Sequence, residues 1–195
     1  DGSLLMYVAD VSDKGVPAAL IMATLWTKIR SEVQGQSEGD LLLQSVNTSL
    51  HSLTSDEGYF ATIVMARYWP SSGRMQLCLG GHLQPLWVVN GDVHKRLDLK
   101  GISLGITSQT KYEIREITFK PGDAILFFTD GVIEAENEDN QLFGNHRLVA
   151  CIQAAQGPPY GTGILEAIHR WRGKTSANDD LTIMELWRDR GKTTP

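Results

Sequence analysis

Two kinds of hydrophobic pattern divide this chain. Short, uninterrupted apolar runs such as 4–9 and 124–128 are bounded by turn residues, and runs of this length predict buried strands. The same features, with Asn90-Gly91 as a hairpin turn, predict further strands at residues 59–69, 74–79, 86–89, 93–97, 112–119 and 181–187.

Other segments carry apolar residues every three or four positions, which predicts helices. Residues 16–32 have Pro17 near the first turn, where its missing N–H costs nothing, and apolar residues around most of the circumference. Residues 42–53, 145–155 and 163–171 also show helical spacing. Because strands and helices come in blocks rather than in strict alternation, the pattern predicts an α+β fold with a mostly antiparallel sheet.

Acidic residues stand where several of the apolar runs stop or start. Asp10 and Asp130 each follow a run, and Asp179-Asp180 directly precede the run that begins at Leu181. Aspartate is also a favoured turn and cap residue, so each position taken alone has a purely structural interpretation. Together, carboxylates delivered at strand ends are typical of a site for hard metal ions, which prefer oxygen ligands.

Composition narrows the classes of function. The chain has 195 residues, is 42% apolar and 21% charged, and carries a formal net charge of −5, which argues against bulk electrostatic binding of nucleic acid. The two cysteines, Cys78 and Cys151, lack metal-ligand or redox spacing and indicate packing roles in a reducing compartment. No apolar stretch reaches the roughly 18 residues of a membrane span, so we predict a cytoplasmic protein without a membrane partner.

The loop after the first predicted strand joins it to the first predicted helix. Asp10–Gly15 lacks the Gly-x-x-x-x-Gly-Lys arrangement of a phosphate-binding loop, which argues against a nucleotide-binding kinase. Eight strings in register then resemble one family: Ala9-Asp10-Val11-Ser12-Asp13-Lys14-Gly15-Val16-Pro17, Phe60-Ala61-Thr62, Gly80-Gly81-His82, Gly101-Ile102-Ser103-Leu104-Gly105, Pro121-Gly122-Asp123, Thr129-Asp130-Gly131, Leu142-Phe143-Gly144 and Asp179-Asp180-Leu181-Thr182.

The order of these strings resembles that of the bacterial metal-dependent serine/threonine phosphatases related to protein phosphatase 2C, which include the sporulation stage II E and RsbU phosphatases. The resemblance implies an αββα sandwich of two mostly antiparallel sheets and a centre of two Mn²⁺ or Mg²⁺ ions. Asp10 resembles the ligand that bridges both metals, and the Val11 carbonyl resembles a backbone ligand. Asp130 and Asp179 resemble the other side-chain ligands. Asp180 would either support Asp179 or replace it as the ligand.

The activity implied is hydrolysis of phosphoserine or phosphothreonine on a signalling protein, with Asp10, Asp130 and Asp179 as the catalytic carboxylates. By resemblance the substrate is an anti-sigma-factor antagonist, and a sensor domain lies upstream. The alternative is a catalytically weak regulatory module of the same fold, which would show itself by loss of acidic ligands. Ser12 has no evident base to make it a nucleophile, and His82 is interpreted as a structural turn residue.

The chain departs from the family pattern in two places. Asp13 stands where the pattern has glycine, which adds a carboxylate beside the bridging ligand. The upstream hairpin with its Gly-Gly-Asp-type motif is also missing, so we expect a phosphatase domain over residues 1–188 without its first hairpin, and a flexible tail over 189–195. A sheet edge left open in this way favours a homodimer.

Overall fold

The computed structural model describes residues 2–34, 39–55, 58–93, 97–177 and 179–190. Its strands are β1 (Leu4–Val11), β2 (Ala61–Trp69), β3 (Arg74–Gly80), β4 (Leu86–Val89), β5 (Asp92–Val93), β6 (Ile114–Thr118), β7 (Ala124–Phe128) and β8 (Ile183–Trp187). Its helices are α1 (Val16–Gln34), α2 (Gly39–Thr54), α3 (Gly144–Ala154) and α4 (Gly161–Arg172), and a 3₁₀ turn covers Asp130–Val132.

The chain divides into two compact units. The first, here called the N-unit, comprises Asp1–Gln84 and Asp98–Thr118, and the second, the C-unit, comprises Pro85–Leu97 and Phe119–Pro195. Each unit contains one four-stranded sheet whose neighbouring strands all run antiparallel. The predicted α+β class with antiparallel pairing is therefore confirmed.

The N-unit sheet has the strand order β1-β2-β3-β6, with β1 at one edge. Helices α1 and α2 pack on it, because their apolar faces join one buried cluster with strand residues such as Ile63 and Met65. Cys78 lies in this cluster, where burial raises its thiol pKa to about 12. Cys78 and Cys151 are both free thiols. A thiol with so high a pKa is not ionised near neutrality, which fits the predicted packing role.

The C-unit sheet has the strand order β5-β4-β7-β8. Every residue of β7 is buried, as its unbroken apolar run predicts. Helices α3 and α4 are amphipathic and bury Leu148, Ile152, Ile164 and Ile168. No helix among the described residues is long and apolar enough to cross a membrane.

Several predicted boundaries shift by a few residues, for reasons of pairing. The predicted strand 112–119 is shorter, because β6 pairs with β3 only from Cys78 opposite Ile114 to Arg74 opposite Thr118. The strand predicted at 181–187 begins two residues later, because its pairing with β7 starts at Ile183. Of the strand predicted at 93–97, residues 94–96 lie outside the described residues, as does most of the Gly-rich segment 35–39 between the first two helices.

Candidate metal-binding residues

In the N-unit, Asp10 lies inside a strand rather than beyond it. It is the penultimate residue of β1 and faces Thr62 across the β1–β2 pair, while Val11 ends the strand opposite Ala61. Asp10 is half-buried and Val11 is buried. Asp10 therefore lies at a strand end, as predicted, one residue before the last, because the backbone pairing with β2 extends to Val11.

The loop that follows β1 is tied to the start of β2. The backbone N–H of Ser12 donates to the Phe60 carbonyl at 2.9 Å, and the Phe60 N–H donates to the Ser12 hydroxyl oxygen, also at 2.9 Å. These bonds give Ser12 a structural role at the end of the β1–β2 ladder. They also hold the backbone immediately after Asp10 and Val11 in one conformation.

The backbone at Asp13 explains why the family pattern has glycine there. Asp13 has φ 70°, in the left-handed region that glycine adopts freely and that aspartate tolerates better than most residues. Its carboxylate Oδ1 accepts the Lys14 N–H at 2.8 Å, and the side chain is exposed. The substitution thus keeps the turn and adds a negative charge to it.

A polar contact joins β2 to the segment that follows β3. Thr62 Oγ1 lies 2.7 Å from His82 Nδ1, and only 9% of His82 is exposed. Gly81 just before it has φ 70°, and a Cβ there would meet the backbone of Ser103 at 2.7 Å. The Gly80-Gly81-His82 string therefore leaves β3 in close contact with Ser103 and is anchored to the strand residue that faces Asp10.

In the C-unit, Asp130 opens the 3₁₀ turn that follows β7. Its carbonyl accepts the N–H groups of Ile133 at 2.9 Å and Glu134 at 2.8 Å, which fixes the turn. Its side-chain Oδ1 is buried and has no hydrogen-bond partner among the described residues. A buried carboxylate oxygen without a partner is unfavourable, and a bound cation would satisfy it. The donor chemistry at Asp130 therefore fits a hard metal ion.

Asp179 and Asp180 lie on the exposed segment that leads into β8. Asp179 Oδ1 accepts the Asp180 N–H at 2.9 Å. Gly131 packs tightly against this segment, since a Cβ on Gly131 would lie 2.3 Å from the Asp180 carbonyl oxygen and 3.6 Å from the Asp179 Cβ. The structure thus brings the Asp130-Gly131 turn and the Asp179-Asp180 segment together within the C-unit.

A cavity of about 140 Å³ opens where these two segments meet, and Gly131 and Asp179 both line it. Glu134, Glu136 and Arg172 contribute charged side chains to the same lining, whereas Asp180 does not line it. Sequence reasoning missed these three, because the acidic, asparagine-rich composition of residues 134–144 predicts an exposed loop and Arg172 follows the helix predicted at 163–171. No sequence signal links Arg172 to Asp179.

A complete protein metal site needs several ligands gathered at one point. Among the described residues, neither unit brings three histidine, cysteine, aspartate or glutamate side chains into a group that could hold a metal ion. Asp10 and Val11 belong to the N-unit, and Asp130, Asp179 and Asp180 belong to the C-unit. The shared metal centre predicted from the sequence stays a prediction.

Comparison with known proteins adds a family and a fold. Residues 1–189 match the family described as stage II sporulation protein E. Protein IcfG of Synechocystis is 25% identical over 220 residues, which cover 97% of this chain and 34% of that protein. Phosphoserine phosphatase RsbU of Bacillus subtilis is 28% identical over 141 residues, which cover 72% of this chain and 42% of that protein. The chain thus spans well under two thirds of either relative.

A solved structure shares the fold. The phosphatase domain of the Bacillus subtilis cell fate determinant SpoIIE, a domain of the protein phosphatase 2C type, superposes with a TM-score of 0.81 at 16% identity. The match covers 96% of this chain and 54% of that one. The α+β fold of this type, with two antiparallel sheets and four helices among the described residues, is therefore confirmed.

Proposed function

Because the chain belongs to the stage II sporulation protein E family and has the fold of protein phosphatase 2C, we propose that it hydrolyses phosphoserine or phosphothreonine on a protein substrate with the help of bound metal ions. It is a bacterial phosphatase domain of that type. The observation that carries the proposal is the buried Asp130 Oδ1, a carboxylate oxygen that has no partner among the described residues.

The ligands that we propose are those that the family resemblance assigns. They are Asp10, the Val11 carbonyl, Asp130, and Asp179 or Asp180. All are oxygen donors, which suits Mn²⁺ or Mg²⁺. Two such ions, when bound, supply an acidified water as nucleophile and offset charge on the phosphoryl oxygens.

The residues themselves have defined tasks in this proposal. Asp10 sits in a strand, so its backbone cannot shift without breaking the pairing with Thr62. The 3₁₀ turn holds Asp130 through two bonds to its own carbonyl, which leaves the carboxylate available as a ligand. Each residue therefore presents its carboxylate from a fixed backbone, and preorganised charge of this kind is what phosphoryl transfer needs.

The wider setting is also a proposal. By resemblance the substrate is a phosphorylated anti-sigma-factor antagonist, and a sensor domain precedes residues 1–188 in the full protein. The two free thiols suit a cytoplasmic location. Strand β1 lies at an edge of its sheet, so its outer backbone groups could pair with another strand or with a second copy in a homodimer.

Phosphate release from a phosphoserine protein tests the proposal. With Mn²⁺ present, Asp10→Asn and Asp130→Asn should each slow release by more than about 100-fold, beyond the roughly 10–100-fold typical of groups that only support a ligand. Asp139→Asn is the matched control, because Asp139 is exposed on a C-unit loop. Unchanged rates in both site variants would show that the site is wrong.

The alternative of a catalytically weak regulatory module has its own signature. It would be favoured if calorimetry of the full-length protein detected no Mn²⁺ binding while a partner protein still bound. The candidate acidic ligands in the described residues argue for the phosphatase, since a module that has lost catalysis is expected to lose ligands.

A further inference from the structure

Thr129 lies between the end of β7 and Asp130, and it is only 5% exposed. Its hydroxyl accepts the Thr182 N–H at 3.0 Å and donates to the Asp180 carbonyl at 3.2 Å. Its own backbone N–H donates to the Thr182 carbonyl at 3.2 Å. One residue therefore makes three hydrogen bonds to the segment that carries Asp179 and Asp180.

These bonds begin where strand pairing ends. The last β7–β8 pair is Phe128 opposite Ile183. Beyond it one backbone bond continues, from the Thr129 N–H to the Thr182 carbonyl, and the Thr129 hydroxyl adds two more, since a hydroxyl can accept and donate at the same time. The segment before β8 is thus held against the Asp130 turn largely by one side chain.

The Asp180 carbonyl also lies close to the backbone of Gly131. The 2.3 Å separation between that oxygen and a Cβ on Gly131 leaves no space for any larger residue. Asp180, whose carbonyl accepts the Thr129 hydroxyl, does not line the cavity beside Gly131, whereas Asp179 does. The arrangement therefore distinguishes two adjacent aspartates that the sequence left as alternatives.

We propose that Thr129 is a positioning residue: its hydroxyl fixes the Asp180 main chain and so makes Asp179, rather than Asp180, the carboxylate that serves the metal centre with Asp130. This inference rests on the proposed function. It concerns how the ligand is placed, and it requires no contact between Thr129 and metal or substrate.

Two substitutions separate the hydroxyl from the shape of the side chain. Thr129→Val keeps the volume and the branching at Cβ but removes both hydroxyl bonds. Thr129→Ser keeps the hydroxyl and removes one methyl group. Thr182→Val is the matched control, because Thr182 uses backbone groups in these bonds and its side chain is exposed.

Mn²⁺ affinity, measured by calorimetry, is the main readout. Thr129→Val should weaken binding by about 10–100-fold, as is typical when a group that orients a ligand is lost. Thr129→Ser and Thr182→Val should remain within about 3-fold of the unsubstituted chain. Amide exchange in the metal-free protein gives a second readout, in which the Thr182 N–H should exchange faster in Thr129→Val and stay protected in Thr129→Ser.

The choice between the two aspartates is tested in the same assay. Asp179→Asn should weaken Mn²⁺ binding much more than Asp180→Asn does. In the Thr129→Val background, Asp179→Asn should cost less than it does alone, because coupled positions give non-additive effects.

Failure of the inference can be told apart from failure of the proposed function. If the unsubstituted chain binds Mn²⁺ and releases phosphate while Thr129→Val binds Mn²⁺ equally well, the function stands and the positioning role is wrong. A larger loss from Asp180→Asn than from Asp179→Asn would also overturn the inference. If the unsubstituted chain binds no Mn²⁺, both proposals fall together.

Discussion

The two units hold their candidate carboxylates by different means. In the N-unit, Asp10 belongs to a strand, and the ladder of backbone bonds between β1 and β2 sets its position. In the C-unit, Asp130 and Asp179 stand just outside the strands. The bonds of its 3₁₀ turn hold Asp130, and the Thr129 hydroxyl holds the segment that carries Asp179, which lies close to Gly131.

This difference determines how sensitive each position is to substitution. A residue within a ladder shares its placement with many backbone bonds, so no single side chain is decisive. A residue beyond the ladder depends on a few specific contacts, each of which one substitution can remove. We therefore expect the C-unit position to be the more fragile of the two.

The largest effect expected from this comparison is at Gly131. Gly131→Ala would place a Cβ 2.3 Å from the backbone carbonyl oxygen of Asp180. Neither backbone segment can move away without displacing the turn. We expect a loss of at least about 3 kcal/mol in the free energy of unfolding, at the upper end of overpacking effects. Chemical denaturation of Gly131→Ala and of the unsubstituted chain measures this difference in the free energy of unfolding.

A second glycine in the same unit is the control. A Cβ added to Gly163 in α4 would have no described atom within 4 Å, so Gly163→Ala should be neutral or stabilise by up to roughly 1 kcal/mol. Equal stabilities of the two alanine variants would contradict the view that close approach fixes the C-unit turn.

The N-unit provides a comparable test at Asn47, which is fully buried on α2. Its Nδ2 donates to the Thr107 carbonyl at 2.8 Å, and its Oδ1 accepts the Gly105 N–H at 2.9 Å. Asn47→Leu leaves both backbone groups without their partner, so we expect a loss of about 2–3 kcal/mol. Asn47→Asp keeps an acceptor for Gly105 but places a buried carboxylate oxygen against the Thr107 carbonyl, so it should also destabilise the fold at neutral pH.

Sequence reasoning recovered the features that depend on local pattern. The apolar runs at β1 and β7 identified both strands and the aspartates beside them, because burial of a strand requires an unbroken or alternating apolar surface. Helices α1 to α4 likewise followed from spacing to within a few residues at each end. Such features depend on residues that are close in the sequence, so they can be predicted without knowing which distant residues are in contact.

Features that depend on distant residues could not be predicted. Thr129 bonds to Asp180 across 51 positions of sequence, and Asn47 bonds to Gly105 across 58. Neither spacing has a periodicity that a sequence pattern could reveal. The choice between Asp179 and Asp180 stayed open for the same reason, since in our proposal it depends on the bond from the Thr129 hydroxyl to the Asp180 carbonyl.

A smaller effect is expected at Trp171, which bonds to the C-unit loop over residues 135–142. Its indole Nε1 donates to the carbonyls of Ala135 and Gln141, each at 3.2 Å, and Arg147 lies over the ring at 3.7 Å. Trp171→Phe keeps an aromatic face but loses the shared donor, so we expect about 1 kcal/mol of destabilisation. Amide exchange should rise in residues 135–142 and stay unchanged in the N-unit.

The control for Trp171 is Trp187, which is 39% exposed at the end of β8. Trp187→Phe should leave exchange in residues 135–142 as it was. If both variants loosened that loop equally, the indole N–H of Trp171 would not be what holds it.

The smallest expected effect concerns the α1–α2 contact at Glu32. The Lys28 ammonium at 2.8 Å and the Ser45 hydroxyl at 2.7 Å both bond to Glu32 Oε1 and lower the pKa of this carboxyl. A lowered pKa stabilises the folded state above the ordinary glutamate value, and this contribution is lost as pH falls through the lowered one. Glu32→Gln should therefore cost a few tenths of a kcal/mol at pH 7, and the difference should vanish in acid.

Denaturation at two pH values measures that difference, and Glu166→Gln on α4 offers the matched comparison. Glu166 pairs with Arg170 of the same helix at 3.7 Å with both side chains largely exposed, whereas Glu32 also receives a bond from another helix. Glu166→Gln should thus have less effect than Glu32→Gln at pH 7. If Glu32→Gln is the milder of the two, then the Ser45 bond does not tie α1 to α2, and the N-unit helices depend on apolar packing alone.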